Sequence, residues 1–446
     1  MISKLLDLRT STISQGAFLL AFSALLSSVL GVARDRLLAS GFGAGPELDV
    51  YFAAFRIPDF LYNLLILGGV SAVFLPLFAE YMERNSKEAW RFVNNLLHIV
   101  AVTMGVFALV VAVLTPLIVE LAVPGFGAQQ KELMTSLVRL MLLSPILFGI
   151  SSVFSGVLQY NSRFLWYALA PVVYNLGIIG GIVFLAPSLG IFGVGIGVVV
   201  GAGLHALIQV PSVLRSGFSW KPVFDIKDPG IRKAFRLALP RTIGGAAYHF
   251  NLVFMTAFAS LFATGSLTAF TFADRFQQVP FGFIAVPFAL SAFPVLSRFA
   301  AAKDKHQFTA SLLGALRKIG LLALPVSLFL FFFRAPLVEL ILYKGKFTIE
   351  DVQLTSSLLG IFALGIVFQS FIPLLIRAFY SLQDTKTPTF ISVATIAFNI
   401  LLALFLTSRG EGIAVLPLSI VLSGILQFVL LLLLLRAKIT SSFKSI

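Results

Sequence analysis

Charged residues set inside apolar segments are the places where this sequence could do chemistry. Arg34, Asp35 and Arg36 interrupt the end of one apolar segment, and Asp49, Arg56 and Asp59 sit at the start of the next. Gly41-Phe42-Gly43-Ala44-Gly45-Pro46 lies between them. A charge at the centre of a membrane span costs about 2.5–3.5 kcal/mol on insertion scales, so such residues face a watery cavity or a partner. The chemistry on offer is binding. Guanidinium groups make charge-assisted, often bidentate hydrogen bonds to phosphate. Later in the chain Arg275 and Gln278 are three residues apart and share a helix face, while Asp274 and Gln278 share another. Ser27 and Arg34 again lie on one face. Arg34, Arg56 and Arg275 are therefore expected to line a cavity suited to an anionic group. The competing expectation is structural: Arg34 neutralises Asp35, and Arg275 neutralises Asp274.

Other polar residues in apolar surroundings have plainer readings. Asn175 and Asn399 are expected to make interhelical hydrogen bonds. His205 and His249 read as packed polar contacts ahead of proton relays. Phe329, Phe331, Phe332 and Phe333 read as apolar bulk, and Lys344, Lys346 and Glu350 as a solvated loop. The glycine break is either a hinge at Gly43, Gly45 and Pro46 or an ordinary tight turn. Glycine permits backbone angles that other residues avoid, and proline fixes one.

These charges need long apolar elements to hold them. The chain is 58% hydrophobic and only 12% charged over 446 residues, where a soluble protein of that length carries about 25% charged residues. The reading is an all-α polytopic membrane protein. There is no cysteine, which excludes disulfides, thiolate chemistry and iron–sulfur clusters. The four histidines are scattered without metal-ligand spacing, and no phosphate-cradling G-x-x-x-x-G-K-[ST] loop occurs. No residue set makes or breaks a covalent bond, so neither an enzyme, a cofactor nor a metal is expected. The net charge of +14 is assigned to basic cytoplasmic loops and not to nucleic-acid binding.

Segments long enough to cross a bilayer fall near 13–40, 50–80, 93–119, 133–158, 165–186 and 190–214. Six more fall near 240–263, 267–299, 311–337, 353–380, 387–407 and 412–436. The polar start, 1–12, does not read as a signal peptide. With the N-terminus in the cytoplasm, 23 of the 33 Lys and Arg residues border the cytoplasmic side, Lys4, Arg9 and Lys444 among them; five border the other side. That asymmetry predicts an even number of spans with both termini inside.

The chain also repeats itself. Val73-Phe74-Leu75-Pro76 resembles Ala292-Phe293-Pro294 around its proline, Tyr174-Asn175-Leu176 resembles Phe398-Asn399-Ile400, and Gly190-Ile191 resembles Gly412-Ile413. Two parallel six-helix lobes follow, 1–215 and 239–446, joined by a cytoplasmic linker at 216–238 whose IRKAFRLAL portion reads as an interfacial helix. Parallel repeats of this kind are a transporter architecture, with the substrate path between the halves.

One further pattern is more specific. Gly31-x-x-Arg34-Asp35, Phe42-Gly43-Ala44-Gly45, Asp49, Phe55-Arg56-Ile57-Pro58 and Phe74-Leu75-Pro76-Leu77-Phe78-Ala79-Glu80-Tyr81 resemble the opening of the MurJ/MviN family. Ala273-Asp274-Arg275 with Pro280, then Phe293-Pro294, resembles that family's eighth span. These are lipid II flippases of the multidrug/oligosaccharidyl-lipid/polysaccharide exporter superfamily. The resemblance implies two lobes around a cationic cavity that exports a polyprenyl-pyrophosphate-linked precursor by alternating access, in peptidoglycan biosynthesis, at the bacterial cytoplasmic (inner) membrane. The implied partners are that lipid-linked peptidoglycan precursor, membrane lipids and cell-wall synthesis proteins. Arg34, Asp35, Asp49 and Arg275 carry over. Family charges fall on Ser28, Tyr62, Leu67 and Gln278, which leaves the cavity less charged than the family pattern. The family pattern also carries two spans beyond the twelve expected here, forming a groove for the lipid tail. Two other functions remain open: export of another lipid-linked glycan or amphiphile, and a non-transporting membrane scaffold.

Overall fold

A computed structural model describes residues 13–64 and 71–443, and these residues form helices without strands. Leu67, Lys4, Arg9 and Lys444 lie outside the described residues. Among the described residues ten helices are long and apolar enough to cross a membrane, and the chain is a multi-pass membrane protein. In hydrocarbon every backbone N–H and C=O must be satisfied within the segment, which helices achieve.

The first compact unit comprises residues up to Phe42 together with Pro46–Val253. It contains α1 (Ile13–Phe42), α2 (Pro46–Tyr62), α3 (Ser71–Arg84), α4 (Ser86–Ala122), α5 (Ala128–Met141) and α6 (Leu143–Tyr160). There follow α7 (Phe164–Gly180), a π turn at Gly181–Leu185, α8 (Ala186–Leu189), α9 (Ile191–Leu207) and α10 (Val210–Leu214). Helix α11 (Pro229–Ala259) begins in this unit and ends in the second. The IRKAFRLAL portion forms no separate helix; it is the first turns of α11, which runs unbroken into the stretch where the seventh span is expected.

Small residues let α7 and α9 meet at backbone distance. A Cβ on Gly181 would lie 2.6 Å from the Cα of Gly197, and one on Gly177 would collide with Gly201. Lipid tails are as apolar as leucine, so close van der Waals approach is what favours such pairs. The linker is tied down by two adjacent amides of α4. Asn94 donates to the Ser219 carbonyl at 3.0 Å and accepts from the Lys221 N–H at 2.8 Å. Asn95 donates to the Asp225 carbonyl and accepts from the Asp225 N–H, both at 2.8 Å.

The second unit comprises Gly43–Gly45 and Phe254–Ile446. It holds α12 (Ser266–Pro280), a π turn at Phe281–Ala285, α13 (Val286–Ala301), α14 (Lys305–Phe332) and α15 (Arg334–Leu342). Then come α16 (Ile349–Ser381), α17 (Lys386–Ser408) and α18 (Val415–Ser442). Its core joins Ile319 and Ala323 of α14, Leu374 and Leu375 of α16, and Leu431 and Leu435 of α18. Pro76 lies inside α3 and Pro294 inside α13.

Candidate functional site

Arg34 is the best-defined charged residue at membrane depth. Its Nε and Nη2 donate to Asp35 Oδ1 at 3.1 and 3.0 Å. Its Nη1 donates to Asn175 Oδ1 at 3.1 Å, across from α1 to α7. The Asn175 amide in turn donates to Ser27 Oγ and to the Pro171 carbonyl, each at 3.1 Å. Both side chains of the ion pair keep a little exposure, 16% for Arg34 and 13% for Asp35. Arginine has five N–H donors. Among the described residues three are used, which leaves one on Nη1 and one on Nη2. The group is thus both neutralised by its neighbour and equipped to take a further acceptor. The two expectations for Arg34, pairing and binding, are compatible in one geometry.

The remaining candidates of the first unit lie on α1 and α2. Ser28 is exposed and bonds back to the Ala24 carbonyl at 2.9 Å, so Ser27 is the hydroxyl that faces α7. Asp49 is buried in the first turn of α2 at 2% exposure. Arg56 is half-buried and, with His249 of α11, acts electrostatically on Asp59, whose carboxylate accepts from Asn63 at 3.0 Å. Phe60 stacks edge-on against His249 and Phe250. His249 therefore belongs to the charged group on α2. The Tyr62 ring packs 5.1 Å from Phe148, which also meets Tyr174 and His205.

In the second unit Arg275 and Asp274 are half-buried on α12 and Gln278 is exposed. Asp274 accepts from Gln277 Nε2 at 2.8 Å, so the neighbouring amide, not Gln278, is what holds that carboxylate. Gly43 takes φ +66°, and a Cβ there would lie 2.5 Å from the Lys346 carbonyl oxygen. The Ala44 N–H donates to Asp351 Oδ2 at 3.3 Å, and the same oxygen accepts from the Thr348 N–H at 2.9 Å. Pro46 opens α2 at its first position, where its missing N–H is not needed. The loop at Lys344–Glu350, expected to be merely solvated, is the seat on which Gly43 and Ala44 rest.

Two features escaped the sequence reading. Asp351 carries a visible signal, the Thr348-x-x-Asp351 capping box that starts α16, but nothing in it points to Ala44. The other is a buried network between α6 and α9. Ser151 Oγ lies 2.7 Å from His205 Nδ1, Gln209 donates to Ser151 at 2.6 Å, and Ser155 donates to Gln209 at 2.9 Å. Every member finds a partner there, as a packed polar contact requires.

Known proteins resemble this chain along most of its length. Residues 38–446 match the family described as "Lipid II flippase MurJ". A "Lipid II flippase MurJ" of Burkholderia cenocepacia is 30% identical over 381 residues, 83% of this chain and 74% of that protein. A "Probable lipid II flippase MurJ" of Vibrio cholerae is 30% identical over 410 residues, 88% and 77% of the two chains. Among solved structures, "Lipid II flippase MurJ, inward closed conformation" superposes with a TM-score of 0.81 at 25% identity, covering 95% of this chain and 90% of that one. An inward-facing multidrug resistance transporter of the MATE family shares the fold at a TM-score of 0.76 and 15% identity. With the charged opening motif and the repeated helices in place, this chain belongs to the lipid II flippase MurJ family.

Proposed function

We propose that this protein is a lipid II flippase, carrying a polyprenyl-pyrophosphate-linked cell-wall precursor from the inner to the outer leaflet of the bacterial inner membrane, with both termini in the cytoplasm. The observation that carries the reading is the family match over residues 38–446. The geometry of Arg34 supports it. A pyrophosphate crossing the bilayer must exchange water for fixed donors, and a guanidinium supplies them in a planar fork. Asp35 and Asn175 hold that fork from two sides and leave two N–H groups for the ligand. Arg34 and Asp35 of one half and Arg275 of the other are assigned as headgroup contacts. Arg56, Asp49, Ser28, Tyr62 and Gln278 complete the proposed contact set, and Gly43, Gly45 and Pro46 the proposed hinge. The task is transport: the precursor leaves with the bonds it arrived with.

The test is growth of cells depleted of their own lipid II flippase and supplied with this chain. Rescue that disappears with Arg34→Ala at matched membrane expression supports the reading. Absence of rescue by the well-expressed wild-type chain rejects lipid II as the cargo and leaves export of another lipid-linked glycan.

A further inference from the structure

The second unit carries a surface groove of about 640 Å³ that none of the charged residues above enters. Leu321 and Leu324 of α14, Phe371 of α16, and Phe428 and Leu432 of α18 line it. Gly320 opens its floor: a Cβ there would already lie 3.4 Å from Phe371 Cζ, and glycine leaves that depth free. The volume falls within the range of about 300–1,000 Å³ typical of ligand sites.

The groove has one charged lining residue, Arg317. It is exposed, and among the described residues it makes no ion pair. Arg436 stands one helical turn beyond Leu432 on the same face of α18, also exposed. The antiparallel register of α14 and α18 is set by Phe308 against Phe443, with ring centroids 5.7 Å apart. From that pair Arg317 lies about 13 Å along α14 and Arg436 about 10 Å along α18, at 1.5 Å per residue. The two arginines therefore stand at nearly one depth, at the end of the groove towards the basic loop that precedes α14.

We propose that this groove is a specific site for an anionic phospholipid, one acyl chain lying along the leucines and phenylalanines and the headgroup phosphate on Arg317 and Arg436. Apolar contact alone cannot select a lipid, because every tail is as apolar as the groove. Charge can. Basic pockets between spans bind anionic headgroups, and a guanidinium fork matches phosphate. The site is separate from the transport residues and does not depend on the cargo.

Native mass spectrometry of the full chain in detergent tests it, titrating phosphatidylglycerol and phosphatidylcholine of the same acyl length. The expected result is one site at which phosphatidylglycerol binds about tenfold tighter, because phosphatidylcholine carries the same phosphate but offsets it with a choline cation that two arginines repel. Arg317→Gln/Arg436→Gln removes the preference. Leu321→Trp, a change on an exposed position that fills the groove, weakens both lipids. Equal binding of the two lipids by wild type overturns the proposal, as does a preference that survives the double substitution. Polyprenyl phosphate binding where phosphatidylglycerol does not, or a lipid-free dimer closing the groove, overturns it in favour of that occupant. Should the double variant fail to fold, unchanged phosphatidylglycerol affinity in Leu321→Trp is sufficient to reject the site.

Discussion

Arg34 and Asn175, 141 residues apart in sequence, meet through a 3.1 Å hydrogen bond from Nη1 to Oδ1 that ties α1 to α7. The asparagine fixes one edge of the guanidinium and Asp35 another, and this makes the remaining N–H groups directed donors. Arg34→Lys keeps the charge but loses the fork, so growth rescue should be impaired by it and nearly abolished by Arg34→Ala. The double change Arg34→Ala/Asp35→Ala removes both charges of the pair. Rescue near wild type by that double variant would show that the arginine serves only its neighbour.

Asn175→Ala should separate positioning from stability. Interhelical hydrogen bonds in membranes are worth about 0.6 kcal/mol, so the unfolding midpoint in detergent should hardly move. Transport should fall several-fold, because the Arg34 fork loses its second support. A large drop in unfolding midpoint with unchanged specific transport would assign Asn175 to packing alone.

Gly43 and Gly45 should respond differently to alanine. At Gly43 the backbone has φ +66° and a Cβ would strike the Lys346 carbonyl. Gly43→Ala is therefore expected to cost about 1–3 kcal/mol of stability, measured by thermal or denaturant unfolding. Gly45→Ala should be close to neutral in the same assay. Equal effects at both positions would contradict the seating of Gly43 on Lys346.

Cysteine labelling reads the orientation on a cysteine-free background. Cysteines at Ser86, Lys227 and Lys303 should stay protected from an impermeant thiol reagent in intact cells, and one at Lys344 should react. Labelling at Lys227 from outside would invert the proposed topology.

Asp384 offers a pH-dependent test outside the spans. Burial acts to raise its carboxyl, but the Thr387 N–H and hydroxyl and the Lys438 ammonium outweigh it and hold the group below the ordinary carboxylate range. A depressed carboxyl contributes stability that is present above its unfolded value of about 3.9 and lost as pH falls through the lower folded value. Asp384→Asn should cost about 1 kcal/mol at neutral pH and flatten the acid limb of the unfolding profile. An unchanged acid limb would place that dependence elsewhere.

The spans were legible in the sequence because a bilayer imposes a length and an apolar content on each segment, and both are local properties. The intramembrane charges at Arg34, Asp49, Arg56 and Arg275 were legible for the same reason: lipid makes each of them an exception that must be explained. The paired prolines and asparagines of the two halves were visible as repeats, and the family followed from the opening motif. Which donor faces which acceptor was not legible. Helical periodicity places Ser27 and Arg34 on one face, but only the packing of α1 on α7 selects Asn175 as their common partner. Nothing near Gly43 in the chain announces that it abuts Lys346, about 300 residues on, or that the capping carboxylate of Asp351 also receives the Ala44 N–H. The split of IRKAFRLAL from the segment expected at 240–263 failed because charge alone set that boundary, while backbone hydrogen bonding carries α11 through it. Such contacts depend on how whole helices dock, and docking is decided by side-chain shape and by small residues such as Gly177 and Gly201, far apart in sequence and meaningful only as a pair.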